Sequence, residues 1–133
     1  MKFSLSNFVI AMLGVLVVVQ PLPGQESHAE KPKQFIYVLH LVPQLYDDKN
    51  WTKEDNAVLE RHFARFQEAI KSRQLILAGR TKEPGDKTFG VAIFEAPDEA
   101  AARAFMQADP AVSGGLMTAE LHPFAVALER RNP

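Results

Sequence analysis

No cysteine occurs in the 133 residues. That removes disulfides, thiolate nucleophiles and cysteine-based zinc sites together. An excess of either charge is missing too, since 15 Lys and Arg stand against 16 Asp and Glu, a formal net charge of −1. Without a basic cluster the chain has nothing to neutralise a row of phosphates, so nucleic acid is not an expected partner. A hydrophobic fraction of 47% excludes a disordered chain, and the length suits one domain. Only oxygen and nitrogen side-chain chemistry remains, and no cofactor fingerprint or metal-ligand spacing is present.

What is present begins with an uncharged apolar run, Phe8 to Val19, after the basic Lys2. Pro21, Pro23 and Gly24 follow, then the small-x-small triplet Ser27-His28-Ala29. This order reads as a secretory signal peptide over residues 1–29, cut after Ala29. Its apolar core is 12 residues long, well short of the roughly 20 that a spanning helix needs. An uncleaved N-terminal anchor is the alternative, and only then is a membrane a partner. The expected product is exported, periplasmic or secreted, with a polar leader over 30–34, one domain over 35–130 and a tail over 131–133. An exported domain of this size without disulfides must take its stability from packing and association.

Along the domain, Phe35–Val42 is a β-rich apolar run and 43–51 a loop. Thr52 opens a helix with Asp55 three residues on, a variant capping box. Leu59, Phe63, Phe66 and Ile70 then keep the helical period to about Lys71. Leu75–Ala78 is a second strand, 83–87 a turn, and Thr88–Glu95 a third strand. Pro97 suits a first helical position, and the helix Asp98–Ala108 stops before Asp109-Pro110. A glycine pair, Gly114-Gly115, leads into a last strand from about Leu116 to Leu128.

The order β-α-β-β-α-β predicts an α+β, ferredoxin-like fold. It should be a four-stranded antiparallel sheet with two helices on one face. Strand one carries Phe35, Tyr37, Leu39 and Leu41 on one side but Ile36, Val38 and Val42 on the other. A sheet covered on one face should alternate apolar with polar. The second apolar face therefore asks for a cover, and a second copy, sheet against sheet, is the economical one.

Among the histidines, His28 falls in the signal region. His40 reads as a packed or hydrogen-bonded strand residue, and His122 as an edge or interface residue. His62 lies three residues after Leu59 and four before Phe66, on the flank of the apolar stripe. Asp109, held by Pro110 at the end of the second helix, is a natural partner on the same side of the sheet. A carboxylate beside imidazole fixes its tautomer and raises the basicity of the distal nitrogen. Alone, each has a plainer reading: His62 a satisfied core histidine, Asp109 a turn residue before proline. Arg80 follows Gly79 at a strand end and suits a bidentate anion anchor. A surface arginine there is equally ordinary. Asp47-Asp48 lacks the remaining positions of a calcium loop, and Ser113 has no nucleophile elbow.

Four stretches together resemble the YciI-like (YCII-related) family of small dimeric α/β-barrel proteins. They are FIYVLHLV (35–42), LERHFARFQEAIKSRQLILAGRT (59–81), FGVAIFEAPDEAAARAFM (89–106) and ADPAVSGGLMTAELHPF (108–124). His62, Gly79, Asp109-Pro110 and Pro123-Phe124 fall in the family's order. The resemblance implies a ferredoxin-like fold paired through its sheets into a homodimer, with His62 and Asp109 as the proposed active-site pair. Leu59 stands where many members have Arg, and Arg80 where many have Pro, so the pocket is differently polarised.

Two functions are compatible with these residues. One is a cofactor-free enzyme in which His62, oriented by Asp109, shuttles a proton in a lyase, isomerase or dehydrohalogenase-type step on a small molecule. Arg80 would then orient an anionic group, while Trp51 or Tyr46 would form an aromatic lid. The other is a non-catalytic dimeric module, binding a small ligand or shielding a sheet, in which His62–Asp109 is a buried structural contact.

Overall fold

The computed structural model describes residues 31–130. The signal peptide, the first leader residue and the C-terminal tail expected from the sequence lie outside them. The chain forms β1 (Lys33–Leu41), α1 (Lys53–Lys71), β2 (Leu75–Arg80), β3 (Gly90–Ala96), α2 (Glu99–Gln107), α3 (Pro110–Ser113) and β4 (Met117–Phe124). The strands run antiparallel in the order β2-β3-β1-β4, which is the ferredoxin-like arrangement. No helix among the described residues is long and apolar enough to cross a membrane.

Helix α1 starts where the capping box expects. The Thr52 hydroxyl accepts the Asp55 backbone N–H at 3.1 Å, and the Asp55 carboxylate accepts the Thr52 N–H at 2.9 Å. Its buried stripe differs from the expected one. Val58, His62, Phe66 and Ala69 face the sheet, whereas Phe63 and Ile70 are 54% and 50% exposed. Rotated this way, the helix carries His62 in the middle of its buried stripe, not on its flank.

Strand pairing fixes the rest of the core. Phe35 lies opposite Phe94 and Tyr37 opposite Ala92, so Phe35, Tyr37, Leu39, Ala92, Phe94 and Ala96 share the helix-covered face and are all buried. The outer face carries Ile36, Val38, Val91 and Ile93, all half-buried. His40 is on that face but exposed, its ring 6.1 Å from that of Phe89, so it is not a packed strand residue. His122 is exposed as well, with Nε2 3.7 Å from Glu120.

Several element boundaries differ from expectation: β2 runs on through Gly79 to Arg80, paired with Val91 and Gly90, and β3 starts at Gly90 and not Thr88. β4 ends at Phe124, opposite Gln34, one residue from the start of β1 at Lys33. Asp98 is the N-cap of α2, its carboxylate accepting the Ala101 N–H at 2.8 Å, so Pro97 lies outside the helix. The chain does not simply turn at Asp109-Pro110; it makes the single helical turn α3, with Asp109 as its N-cap. Gly114 closes that turn, since a Cβ there would lie 2.6 Å from the Pro110 carbonyl oxygen and 2.9 Å from Val58 Cγ1.

Candidate active site

Asp109 is fully buried, and its two oxygens are divided among three donors. Oδ1 accepts the Ala111 backbone N–H at 2.9 Å, a consequence of its N-cap position. The same oxygen lies 2.6 Å from His62 Nδ1, and Oδ2 accepts the Tyr37 hydroxyl at 2.7 Å. Burial pushes the Asp109 carboxyl up. The hydrogen bonds from His62 and Tyr37, the interaction with His62 and the Ala111 N–H outweigh that, and hold it below the usual carboxylate range. An ionised carboxylate only accepts, so His62 Nδ1 carries the proton and donates it. Nε2 is the ring nitrogen that Asp109 leaves unengaged.

His62 is 4% exposed, its ring 4.3 Å from that of Phe66, yet it lines a cavity of about 710 Å³. Arg65 Nη1 is the one wholly buried side-chain nitrogen or oxygen without a partner among the described residues. Nε2, which makes no hydrogen bond there, therefore keeps access to open space. Leu39, Leu41, Leu45, Leu59 and Met117 give the cavity an aliphatic wall, and Phe63, Phe89 and Trp51 an aromatic one. Arg80, Glu83 and Asp48 are its charged residues.

The structure brings all five sequence candidates to one place. His62 and Asp109 are in direct contact, and Arg80, Trp51 and Tyr46 line the same cavity as His62. Trp51 is a fixed wall more than a lid, because its Nε1–H donates to the Leu45 carbonyl at 3.0 Å. Two residues were missed. Phe63 lines the cavity where the helical period had assigned it to the core. Tyr37 completes the His62–Asp109 contact; the signal was available, since a tyrosine among Phe, Leu and Val on a buried strand face must find a partner for its hydroxyl. Among the described residues no group of three or more His, Asp or Glu side chains gathers as a metal would require.

Tyr37 has a measurable signature. Burial first, then the Asp109 charge and hydrogen bond, push its hydroxyl well above the ordinary tyrosine value, with Arg65 acting in the opposite sense. Its contribution is fully present below a pH of about 10. As pH climbs toward the folded value it is lost, because the unfolded chain releases a proton that the folded one keeps. Stability should then fall by about 1.4 kcal/mol per pH unit on this account. Urea unfolding from about pH 10 upward is expected to show a slope shallower by one proton in Tyr37→Phe than in the wild type. Identical slopes would mean that Tyr37 ionises as readily folded as unfolded.

A model of the YCII-related domain matches residues 39–125, and the chain belongs to that family. No curated protein shows significant sequence similarity to it. Among solved structures it is similar to SnoaB, a cofactor-independent oxygenase from Streptomyces nogalater, at 16% identity and a TM-score of 0.36, over 72% of this chain and 93% of that one.

Proposed function

We propose that the protein is a small exported enzyme that moves a proton on a small organic molecule without a cofactor, in a lyase, isomerase or dehydrohalogenase type of step. The observation that carries this reading is the 2.6 Å contact between His62 Nδ1 and buried Asp109, on a helix face that also lines a cavity of about 710 Å³. His62 Nε2 takes a proton from a carbon made acidic by a neighbouring electron-withdrawing group; in an isomerisation it returns the proton at the same or an adjacent atom, and in an elimination the bond to the leaving group on the adjacent carbon breaks and the proton passes to that group or to water. Asp109 holds the ring in one tautomer and balances the imidazolium that forms. Arg80 pairs with an anionic group of the substrate, and Trp51 and Tyr46 flank its body. The cavity is of ordinary size for a small-molecule site. Export rests on residues 1–29 of the sequence. A homodimer through the outer sheet faces is supported by Ile36, Val38, Val91 and Ile93, which make the middle of that face, on β1 and β3, apolar.

Proton transfer can be read before the natural substrate is known. Small 2-oxo and 4-oxo carboxylic acids in D₂O, followed by proton NMR, report exchange at the carbon beside the carbonyl. The wild type is expected to speed exchange of at least one of them, and His62→Asn to reduce the rate by about 100- to 10,000-fold while keeping its near-UV circular dichroism. Exchange no faster with the wild type than with His62→Asn would sink the catalytic reading. Binding without exchange would favour the non-catalytic module.

A further inference from the structure

Gly90 begins β3 on the wall of the cavity, and neither its backbone nor its packing calls for glycine. Its φ is outside the left-handed region. A Cβ there would meet the Gly79 carbonyl oxygen and Leu39 Cβ at 3.5 Å and Leu39 Cδ1 at 3.6 Å, ordinary van der Waals distances. The space that a larger side chain would enter is the cavity that His62 lines. Register places Gly90 between Arg80 on β2 and Leu39 on β1, and residues opposed across paired strands share a face. Ala78, opposite Ala92, comes next on that face. Between Arg80 and Leu39, two strand spacings or about 10 Å apart, the cavity floor is bare backbone.

We propose that the cavity takes a singly charged oxo acid whose extended apolar body lies over Gly90, and that Gly90 sets how large that body can be. This rests on the reading of the cavity as the substrate site. Arg80 is the basic residue of the cavity, and its guanidinium has no hydrogen bond, ion pair or ring contact among the described residues. A carboxylate gains a bidentate partner there without breaking an existing contact. A second anionic group would meet Asp48 or Glu83, the two carboxylates of the same cavity, and like charges brought together disfavour binding. Most of the remaining wall is aliphatic or aromatic, so the rest of the ligand gains by being apolar. At about 710 Å³ the cavity matches sites that enclose drug-sized ligands, far more than a three-carbon acid fills.

Four probes separate these features. Pyruvate has no apolar body, 2-oxooctanoate has one, 2-oxooctanedioate adds a second carboxylate, and 2-octanone lacks the anion. Binding to the full-length chain is measured by calorimetry and by the fluorescence of Trp51, the one tryptophan of the sequence and a cavity residue. The monoacid 2-oxooctanoate is expected to bind at least about 30-fold more tightly than pyruvate. It should also bind at least about 10-fold more tightly than the diacid or the ketone, and Arg80→Met should remove most of its advantage over the ketone. Gly90→Val should cut its preference over pyruvate by about 10-fold, and Gly90→Ala by about 3-fold. The alanine variant requires no neighbour to move, and decides the matter if the valine variant does not fold. Pyruvate bound as tightly as 2-oxooctanoate, or the diacid as tightly as the monoacid, would overturn the proposal. So would a preference left unchanged by substitution at Gly90. Selective binding without deuterium exchange in any probe would instead sink the catalytic reading and leave this ligand class standing. Exchange without selectivity would do the reverse.

Discussion

Asp109→Ala is expected to cost the fold about 3–5 kcal/mol, the range for breaking a buried charged contact by removing one partner. The carboxylate accepts from His62, Tyr37 and Ala111 with no exposure to solvent. Truncation therefore strands three donors in the interior and removes the cap of α3. A domain of this size loses about 4–8 °C of melting temperature per kcal/mol, so a fall of more than about 12 °C is the outcome to look for by calorimetry. Asp109→Asn keeps the shape and one acceptor and should fall between the two. The pH response follows from the depressed carboxyl. Its stabilisation is fully present above the unfolded value of about 3.9, and is lost as pH falls through the lower folded value. Urea unfolding between about pH 5 and 2 should therefore show a weaker acid loss in Asp109→Asn than in the wild type. An alanine variant within about 1 kcal/mol of the wild type would show that the network is not what holds α3 to α1 and β1.

Phe94→Ala is expected to cost a comparable amount, about 3–5 kcal/mol, for a different reason. Phe94 has no exposure and touches the rings that surround the polar network. It stacks on Phe105 at 4.6 Å, meets Tyr37 edge-on at 5.6 Å, and lies 6.1 Å from Phe35 across the β1–β3 ladder. Removing it opens a void under Tyr37 and Phe105 together. Phe89, 39% exposed on the cavity wall, is the control; its truncation should cost less than about 1.5 kcal/mol. Equal losses at the two positions in urea unfolding would mean that the core under the site closes over the missing ring.

The element order was legible because it depends on local information. Thr52 with Asp55 marks a helix start by chemistry that acts over three residues, and the alternation around Phe35 to Leu41 marks a strand without reference to any partner. The rotation of α1 was not legible. Apolarity selected Leu59, Phe63, Phe66 and Ile70, but Phe63 and Ile70 remain half exposed while His62 is buried. A periodicity argument gives a histidine no credit for a hydrogen bond it has yet to find. The same limit hid Tyr37: its place on the inner face was readable from strand parity, its bond to Asp109 was not. The one-turn α3 was also missed, because Asp109-Pro110 reads equally as a stop and as a cap.

Residue by residue, the sequence alone determined the absence of thiol chemistry, the ferredoxin-like order of elements, the apolar residues on both faces of β1 and β3, and His62 with Asp109 as the pair to consider. Those are properties of composition and of spacing within one segment. Only the tertiary structure decided that these two side chains meet at 2.6 Å, that Tyr37 completes their contact, and that the Arg65 guanidinium lies over the Phe105 ring. Forty-seven residues separate His62 from Asp109, and 72 separate Tyr37 from Asp109. A carboxylate with no access to water can keep its charge only where folding delivers donors from such distant segments. Strand register and helix rotation set that delivery, and neither is a local property.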